Sequence, residues 1–339
     1  MSKTTDIAIV GVRGLVGEAL LTVLSEHELE FGAIHLLDIE DHAGGRPMLK
    51  GQSQRVEVLE RFDFSRVAVA VFGDAELATN WAAEVVEAGC LVVDACGAFR
   101  HNEHIPLVVA DVNPQMLAGI RQRGIVACPD AQVAQTVLAL RPLINEAGIE
   151  SLTIATYQSM STLDNDAVEA LALQTGRLLN GQPAEKGILN KQAAFNLIPR
   201  IGPTDEQGNS DQELHLANDV RRILELPQLP VSATCVLVPT FFGSAQVMQL
   251  RTREELTVKR AGTLLRKTPG IKLLDKQTAG AFPTPVTEAT GSDDLWVGRL
   301  RQDIFDAHSL SMWLVSDNLR KGVALNSLAI AELLIKTQL

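Results

Sequence analysis

A glycine-rich turn close to the start of the chain constrains the fold more than any other feature. The apolar run Ile7–Val10 is followed by Gly11, Gly14 and Gly17, and a helical pattern covers Leu15–Leu24. In such a strand–turn–helix unit, the first glycine permits the tight turn, the second lets backbone approach a pyrophosphate, and the third lets helix pack on strand. The spacing predicts a dinucleotide site, although a turn that merely packs tightly would also use these glycines.

Short apolar strands alternate with helices through the first part of the chain. This alternation predicts a parallel sheet covered on both faces, and hence a doubly wound, Rossmann-like α/β domain. Further strands are predicted at Ala33–Leu37, Val67–Phe72, Leu91–Asp94 and Ile125–Ala127, and further helices at Ala75–Ala88 and Ala134–Ala147.

The pattern changes near Ile149, where longer and partly alternating strands begin. They predict a second α+β domain with a mainly antiparallel or mixed sheet. Strands are expected at Ser151–Gln158, Val231–Val238, Ala245–Leu250 and Ser311–Ser316, and helices at Ala167–Leu179, Gln212–Leu224 and Lys321–Leu339. We expect residues 1–130, completed by a C-terminal helix over 318–339, to form the dinucleotide-binding domain. Residues 131–317 would form the substrate and dimerisation domain.

Composition excludes several classes of function. The 339 residues are 46% hydrophobic and carry a net charge of −11, which argues against nucleic acid or an anionic membrane as partner. No apolar run reaches the roughly 18 residues of a membrane span. The apolar stretch Ile7–Val12 is cut short by Arg13 and glycines, so no signal peptide is expected. Four cysteines without a CxxC pair predict a reducing, cytoplasmic location.

Acidic residues follow the second predicted strand. Asp38, Glu40 and Asp41 lie where an acid would hold a ribose 2′-hydroxyl, and where they would repel a 2′-phosphate. If a nicotinamide cofactor binds, the sequence therefore favours NAD over NADP. Arg13 within the glycine turn would either add positive charge to a phosphate site or be solvated.

A set of motifs extends along nearly the whole chain. In chain order, they are Gly11–Gly17, Gly97-Ala-Phe-Arg100 with Pro106-Leu-Val-Val, Val112-Asn-Pro114, Leu138-Ala-Leu-Arg-Pro142, Thr156-Tyr-Gln158, Val297-Gly-Arg-Leu-Arg301 and Asp317-Asn-Leu-Arg-Lys-Gly322. These motifs, in this order, resemble those of aspartate-semialdehyde dehydrogenases. The resemblance implies a homodimer of this fold, in a family that uses NADP and phosphate to oxidise an aldehyde through a cysteine thioester.

The chain departs from the family where the chemistry resides. The nucleophile motif, approximately Asn-Pro-Asn-Cys-Ser-Thr, corresponds to a run beginning Cys-Pro-Asp, with Ala131 in place of the cysteine. The resemblance also implies that Ser244 replaces the general base and Leu237 the arginine that binds the substrate carboxylate. His215 stands for a phosphate-binding lysine, and Asp41 for an arginine of the NADP-binding loop.

Other residues of the family's site are retained. Arg100 would bind an anion or hold the domains together by salt bridges. Gln158, which would orient the missing cysteine, would make a structural hydrogen bond, and Glu213 would meet an amino group or be solvated. Arg100, Gln158 and Glu213 are thus candidate substrate-binding remnants. Candidate cofactor-binding residues are Gly11, Arg13, Gly14, Leu15, Val16, Gly17, Asp38 and Asn318.

The cysteines and histidines offer no evident substitute site. Cys128 lies three residues before Ala131 and is followed by proline, so we expect an inert thiol at a strand end. The remaining thiols, Cys90, Cys96 and Cys235, lie in apolar sequence and are expected in the core. A histidine pair at 101 and 104 has no third partner, so no metal site is predicted.

Three hypotheses for function follow. The leading one is a catalytically silent paralogue, like the Usg-type branch of the family, which folds as a homodimer and binds NAD or another small anion whose identity is unknown. The second is an active NAD-dependent oxidoreductase of altered chemistry, acting on an aldehyde, oxo or imine group, with Ser244, His215 and Gln158 as polar candidates. The third is a structural protein whose nucleotide site is empty.

Overall fold

The computed structural model describes residues 5–338, and its internal contacts divide the chain into two units. The first unit runs to Asp130 and resumes at Val323, and the second comprises Ala131–Gly322. Within residues 5–338, no helix is both long enough and apolar enough to cross a membrane.

A six-stranded parallel sheet forms the centre of the first unit. The strands of this unit are β1 (Ile7–Val10), β2 (Ile34–Asp38), β3 (Met48–Leu49), β4 (Gln52–Ser53), β5 (Val56–Val58), β6 (Val69–Phe72), β7 (Leu91–Asp94) and β8 (Ile125–Ala127), of which β3 and β4 form a separate hairpin. The order in the six-stranded sheet is β5-β2-β1-β6-β7-β8, so each crossover places a helix or loop on a face of the sheet. The helices are α1 (Gly14–Glu26), α2 (Ala75–Glu87) and α3 (Ile120–Arg123).

Both faces of this sheet are buried, and β1 shows how. Ile7 and Ile9 belong to an apolar cluster that includes α1, whereas Ala8 and Val10 belong to a second cluster that includes α2. Successive side chains of a strand point to opposite faces, so one strand that supplies two cores must be covered on both sides. The predicted doubly wound, Rossmann-like fold is therefore confirmed.

The second unit is built on a mixed sheet. Its strands are β9 (Ser151–Gln158), β10 (Val231–Leu237), β11 (Ser244–Arg251), β12 (Ile271–Leu273), β13 (Leu295–Gln302) and β14 (Ser309–Ser316). Their order in the sheet is β10-β9-β11-β14-β13-β12. Strands β9 and β10 pair in parallel, as do β12 and β13, and the remaining pairs are antiparallel. The helices are α4 (Ala131–Ala147), α5 (Asn165–Leu179), α6 (Asp211–Leu224) and α7 (Val258–Lys267).

The last helix returns to the first unit. A π-helical turn, Arg320–Ala324, leads into α8 (Leu325–Gln338), and Leu328, Ala331 and Leu334 are buried in the same apolar cluster as α1. The predicted return of the C-terminal helix is confirmed. Its start at Lys321 was predicted too early, because the π-helical turn precedes it, and Leu339 lies outside the described residues.

Several elements escaped the sequence pattern or differ from it. Helix α4 begins at Ala131, three residues before the predicted start, because residues 131–140 are all buried and tertiary packing extends the helix. The elements that were not predicted are helices α3 and α7 and strands β3, β4, β5, β12 and β13. In β13 the alternation is interrupted by Gly298, Arg299 and Arg301, where the pairing with β14 shifts register.

Candidate functional site

The glycine turn is closely packed at two glycines and open at the third. Gly11 follows β1 with φ of +76°, and a Cβ on it would lie 2.6 Å from Asp74 Cβ. A Cβ on Gly17 would overlap the carbonyl of Gly11, which brings α1 directly against the end of β1. Gly14 has φ of +84° and no atom within 4 Å of its Cβ position. The turn therefore has space at the glycine where backbone would approach a phosphate.

The start of α1 presents its backbone N–H groups without a competing acid. Arg13 occupies the N-cap position, but its side chain makes no capping hydrogen bond, and the first helical turn contains no acidic residue. Leu15 and Val16 are partly buried in this turn, whereas the Arg13 side chain is exposed. A helix start of this kind favours an anion through its unpaired N–H groups and dipole.

Asp38 is held firmly at the end of β2. It is only 2% exposed, and its Oδ2 accepts a hydrogen bond from the Arg13 N–H at 3.3 Å. Its Oδ1 accepts from the Ile39 N–H at 2.9 Å and lies 3.2 Å from His42 Nδ1. Asp38 therefore fastens the glycine turn to β2, which sequence reasoning did not foresee, and it also places a carboxylate beside the turn.

The predicted nucleophile position is the first residue of α4. Ala131 is 6% exposed, and its Cβ lies so close to Gly322 that a Cβ on Gly322 would overlap it. The start of a long helix is where a cysteine would gain thiolate character from the dipole. Here that place is taken by a methyl group, which offers no nucleophilic atom.

Ser244 and Leu237 are both buried in the second unit. Ser244 begins β11, is 0% exposed, and its Oγ accepts a hydrogen bond from Gln132 Nε2 at 3.3 Å. Leu237 ends β10 in register with Gln158 of β9, and its backbone exchanges two hydrogen bonds with Ile198. The two positions that the family resemblance assigns to a base and an arginine thus hold a neutral hydroxyl and an alkyl group.

Buried amides surround the start of α4. Gln246 of β11 donates through Nε2 to the Gln132 carbonyl at 2.9 Å and to Gln135 Oε1 at 3.0 Å, while its own Oε1 accepts from Thr136 Oγ1 at 2.7 Å. Gln158 donates to Thr156 Oγ1 at 3.1 Å, which agrees with the structural hydrogen bond expected for it. The polar groups here are neutral, so they offer hydrogen bonds but no charge at neutral pH.

Glu213 and Asn318 serve local structure. One Glu213 oxygen accepts the Ser210 N–H at 2.8 Å, as in a capping box, and the other accepts the Cys235 N–H at 3.1 Å. These two backbone contacts were not among the roles considered for Glu213 from sequence. Asn318, proposed for the cofactor, is 3% exposed and its Oδ1 accepts from the Gly243 N–H at 3.1 Å. It also hydrogen-bonds Ser161 at 3.1 Å.

Arg100 forms an ion pair inside the first unit. Its Nη1 donates to Asp130 Oδ1, and its Nε donates to His101 Nε2 at 3.1 Å. The side chains of Arg100 and Asp130 are 18% and 24% exposed. This ion pair lies within the first unit, and its partner Asp130 was not singled out from sequence.

Three of the four thiols have a raised pKa, which makes them poor nucleophiles at neutral pH. Burial raises the pKa of the Cys90 thiol to about 12 and also raises the pKa of Cys128, which is 1% exposed and precedes α4. Cys235 is fully buried, as expected for a core residue. Cys96 is only partly buried, and it packs against the apolar cluster that includes α2. Its Sγ contacts Asp94 Oδ1 at 3.0 Å, and burial, together with that carboxylate, raises its pKa.

The structure brings the predicted residues together in separate groups. Asp38 meets the glycine turn in the first unit, where Arg100 forms its own group with Asp130. In the second unit Gln132, which sequence reasoning missed, contacts Ser244. Its polarity within a buried helical run was the one sequence signal. Among residues 5–338, no group of three or more histidine, cysteine or acidic side chains is arranged to hold a metal ion.

Comparison with known proteins identifies the lineage. The NAD-binding domain model of semialdehyde dehydrogenases matches residues 6–120, and the dimerisation domain model matches residues 140–321. Aspartate-semialdehyde dehydrogenase 2 of Vibrio cholerae is 39% identical over 99% of both chains, and a USG-1 protein homolog of Azotobacter vinelandii is 37% identical over 99% of both.

A solved structure agrees along the whole length. The crystal structure of Vibrio cholerae aspartate semialdehyde dehydrogenase II complexed with ASA is 38% identical, covers 100% of both chains and superposes with a TM-score of 0.95. The chain therefore belongs to the aspartate-semialdehyde dehydrogenase family.

Proposed function

We propose that this protein is a catalytically silent member of its family, which does not oxidise aspartate semialdehyde. The observation that carries the proposal is Ala131 at the start of α4, where a thioester mechanism needs a thiolate. Ser244 and Leu237 support it, since neither supplies a basic nitrogen or a cation at the positions that the resemblance assigns to them. Cys128 offers no replacement, because burial keeps its thiol protonated.

The dinucleotide site is proposed to be retained and to prefer NAD. The open Gly14, the uncapped start of α1 and the carboxylate of Asp38 support dinucleotide binding. The exposed acids Glu40 and Asp41 follow directly and disfavour a 2′-phosphate by repulsion. Candidate contacts are the turn residues 11 and 13–17. Asn318 is not kept as a contact, because its amide is occupied within the second unit.

The quaternary state is proposed to be a homodimer formed through the second unit. The dimerisation domain model covers most of this unit, and one face of its sheet carries half-buried aromatic side chains, Tyr157, Trp296 and Trp313. The four cysteines form no disulfide among the described residues, which fits a reducing compartment such as the cytoplasm.

Two measurements test the silent-enzyme proposal. Purified protein mixed with aspartate semialdehyde, phosphate and NAD or NADP should show no reduced cofactor, while the Vibrio cholerae relative serves as the positive control. Turnover that disappears in Cys128→Ala would overturn the proposal. Turnover that persists in that variant would instead favour the altered oxidoreductase.

Cofactor binding is tested separately by thermal unfolding. Because a ligand that binds only the folded state raises the midpoint, NAD should raise it more than NADP at equal concentration. No shift with either dinucleotide at millimolar concentration would favour a structural protein with an empty site. The control is Gly17→Ala, which should lose the NAD shift because it displaces α1 from the turn.

The position of residue 131 can be tested by restoring the thiol. In Ala131→Cys, the new thiol should react with iodoacetamide at pH 7.5 at least about tenfold faster than any thiol of the native protein, because a helix start lowers a thiol pKa. The matched control is Ala134→Cys, one turn further into α4, which is equally buried. Equal reaction rates for the two variants would contradict the inference that residue 131 lies where the helix start lowers a thiol pKa.

A further inference from the structure

The loop that carries Arg100 is built to fix its guanidinium in one place. Asp94, at the end of β7, accepts hydrogen bonds from the Phe99 N–H at 2.8 Å and the Cys96 N–H at 3.1 Å, which shapes the turn before Arg100. Gly97 has φ of +74°, and a Cβ on it would lie 3.3 Å from Arg100 Cδ. The absence of a side chain at Gly97 therefore lets the arginine stem lie against the turn.

The Asp130 carboxylate forms an ion pair with this guanidinium. Both side chains are mostly shielded from solvent, which strengthens the pairing of their charges relative to a surface pair. An arginine held in this way would otherwise be a receptor for an oxyanion, since its N–H groups match carboxylate and phosphate oxygens. A neutral side chain at position 130 would lack this pairing.

We propose that Asp130 acts as a built-in anion that occupies Arg100 and excludes phosphate and carboxylate ligands from it. The proposal rests on the proposed function, because Arg100 is a candidate substrate-binding remnant in a protein that the proposed function leaves without a nucleophile. A second anion at Arg100 would face the Asp130 carboxylate directly, so like-charge repulsion opposes its binding. The Asp130 side chain thereby determines specificity, and Asp130→Asn opens an oxyanion site that the native protein lacks.

The test is phosphate binding by the full-length protein, without any turnover. Thermal unfolding is followed with increasing inorganic phosphate at constant ionic strength, with chloride as the balancing anion. Native protein should show no saturable shift that depends on Arg100. Asp130→Asn should show one, with an affinity at least about tenfold tighter than native, equivalent to about 1.4 kcal/mol. Arg100→Gln in the Asp130→Asn background should abolish the shift.

The matched control is Glu103→Gln, which removes one negative charge from an exposed acid on the loop that follows Arg100. Glu103→Gln should show the same phosphate response as native protein, because the gain expected in Asp130→Asn does not come from a general loss of negative charge. An equal gain in Glu103→Gln and Asp130→Asn would overturn the proposal, as would an Asp130→Asn variant without any gain.

If the Asp130 variants fail to fold, phosphate binding by native protein and by Arg100→Gln still tests the proposal. Saturable phosphate binding by native protein that is lost in Arg100→Gln would show that Arg100 is already open, and would overturn the proposal. Turnover of aspartate semialdehyde by native protein would overturn the proposed function alone, so the two failures are distinguishable.

Discussion

Gly17 and Gly176 are both helical glycines, yet their surroundings predict opposite responses to a methyl group. A Cβ on Gly17 would overlap backbone atoms of Gly11 and Val12, whereas a Cβ on Gly176 would meet no atom within 4 Å. Gly17→Ala should therefore lower the free energy of unfolding by about 1–3 kcal/mol through overpacking. Gly176→Ala should raise it by about 0.5–1 kcal/mol through helix propensity. Urea unfolding measures both, and equal effects would contradict the close approach of α1 to β1.

The Cys90 thiol makes stability depend on alkaline pH. Burial raises its pKa to about 12, whereas a thiol in the unfolded chain ionises near 8.5. Above about pH 8.5 the unfolded state therefore binds fewer protons than the folded state, and stability falls as pH rises. The expected slope for this thiol is about 1.4 kcal/mol per pH unit until its folded pKa is reached.

Cys90→Ala should make the loss of stability between pH 9 and 10.5 less steep by about that amount, as measured by urea unfolding. Cys96 and Cys128 also have a raised pKa and contribute to the slope in both proteins. The control is Val92→Ala in the same apolar cluster, which lowers stability but carries no titrating group. If Cys90→Ala and Val92→Ala showed the same pH slope, the assignment to the thiol would be wrong.

At the scale of elements, α4 and β11 are joined by buried amides. Gln246 makes three hydrogen bonds to α4, and Gln246→Leu would leave Thr136, Gln135 and the Gln132 carbonyl without that partner. We expect a loss of about 1–3 kcal/mol in the free energy of unfolding. Gln228→Leu, in the exposed turn after α6, should change it by less than about 0.5 kcal/mol. Denaturant midpoints decide, and similar losses would show that the buried network contributes nothing.

At the scale of the whole molecule, the proposed homodimer predicts a mass in light scattering of twice the 36.6 kDa of one chain. Val247 lies on the half-buried sheet face, in register with Ala155 and Trp313. Val247→Arg would bury a charge in the proposed interface and should give a monomer. Gln228→Arg, in the exposed turn after α6, adds the same charge and should leave the dimer intact. A monomeric native protein would rule out the dimer.

The fold was predictable because it depends on local pattern. Each signal spans only a short stretch of sequence: the apolar strands, the helix periodicity and the glycine turn. Together they correctly indicated the parallel sheet and the mixed sheet. The boundaries of α4 and the existence of β13 were not predictable, since burial extends α4 and charged residues interrupt the pattern in β13.

Residue identity alone determined what chemistry this protein lacks at position 131, because a methyl group has no nucleophilic atom in any conformation. Only the tertiary structure decided which groups pair instead. Arg100 and Asp130 are 30 residues apart, and Gln132 and Ser244 are 112 apart. Local sequence patterns do not encode such pairings, because strand register and turn geometry bring the partners together. An arginine that the sequence left open to an external anion is, in the folded chain, already held by a carboxylate of its own.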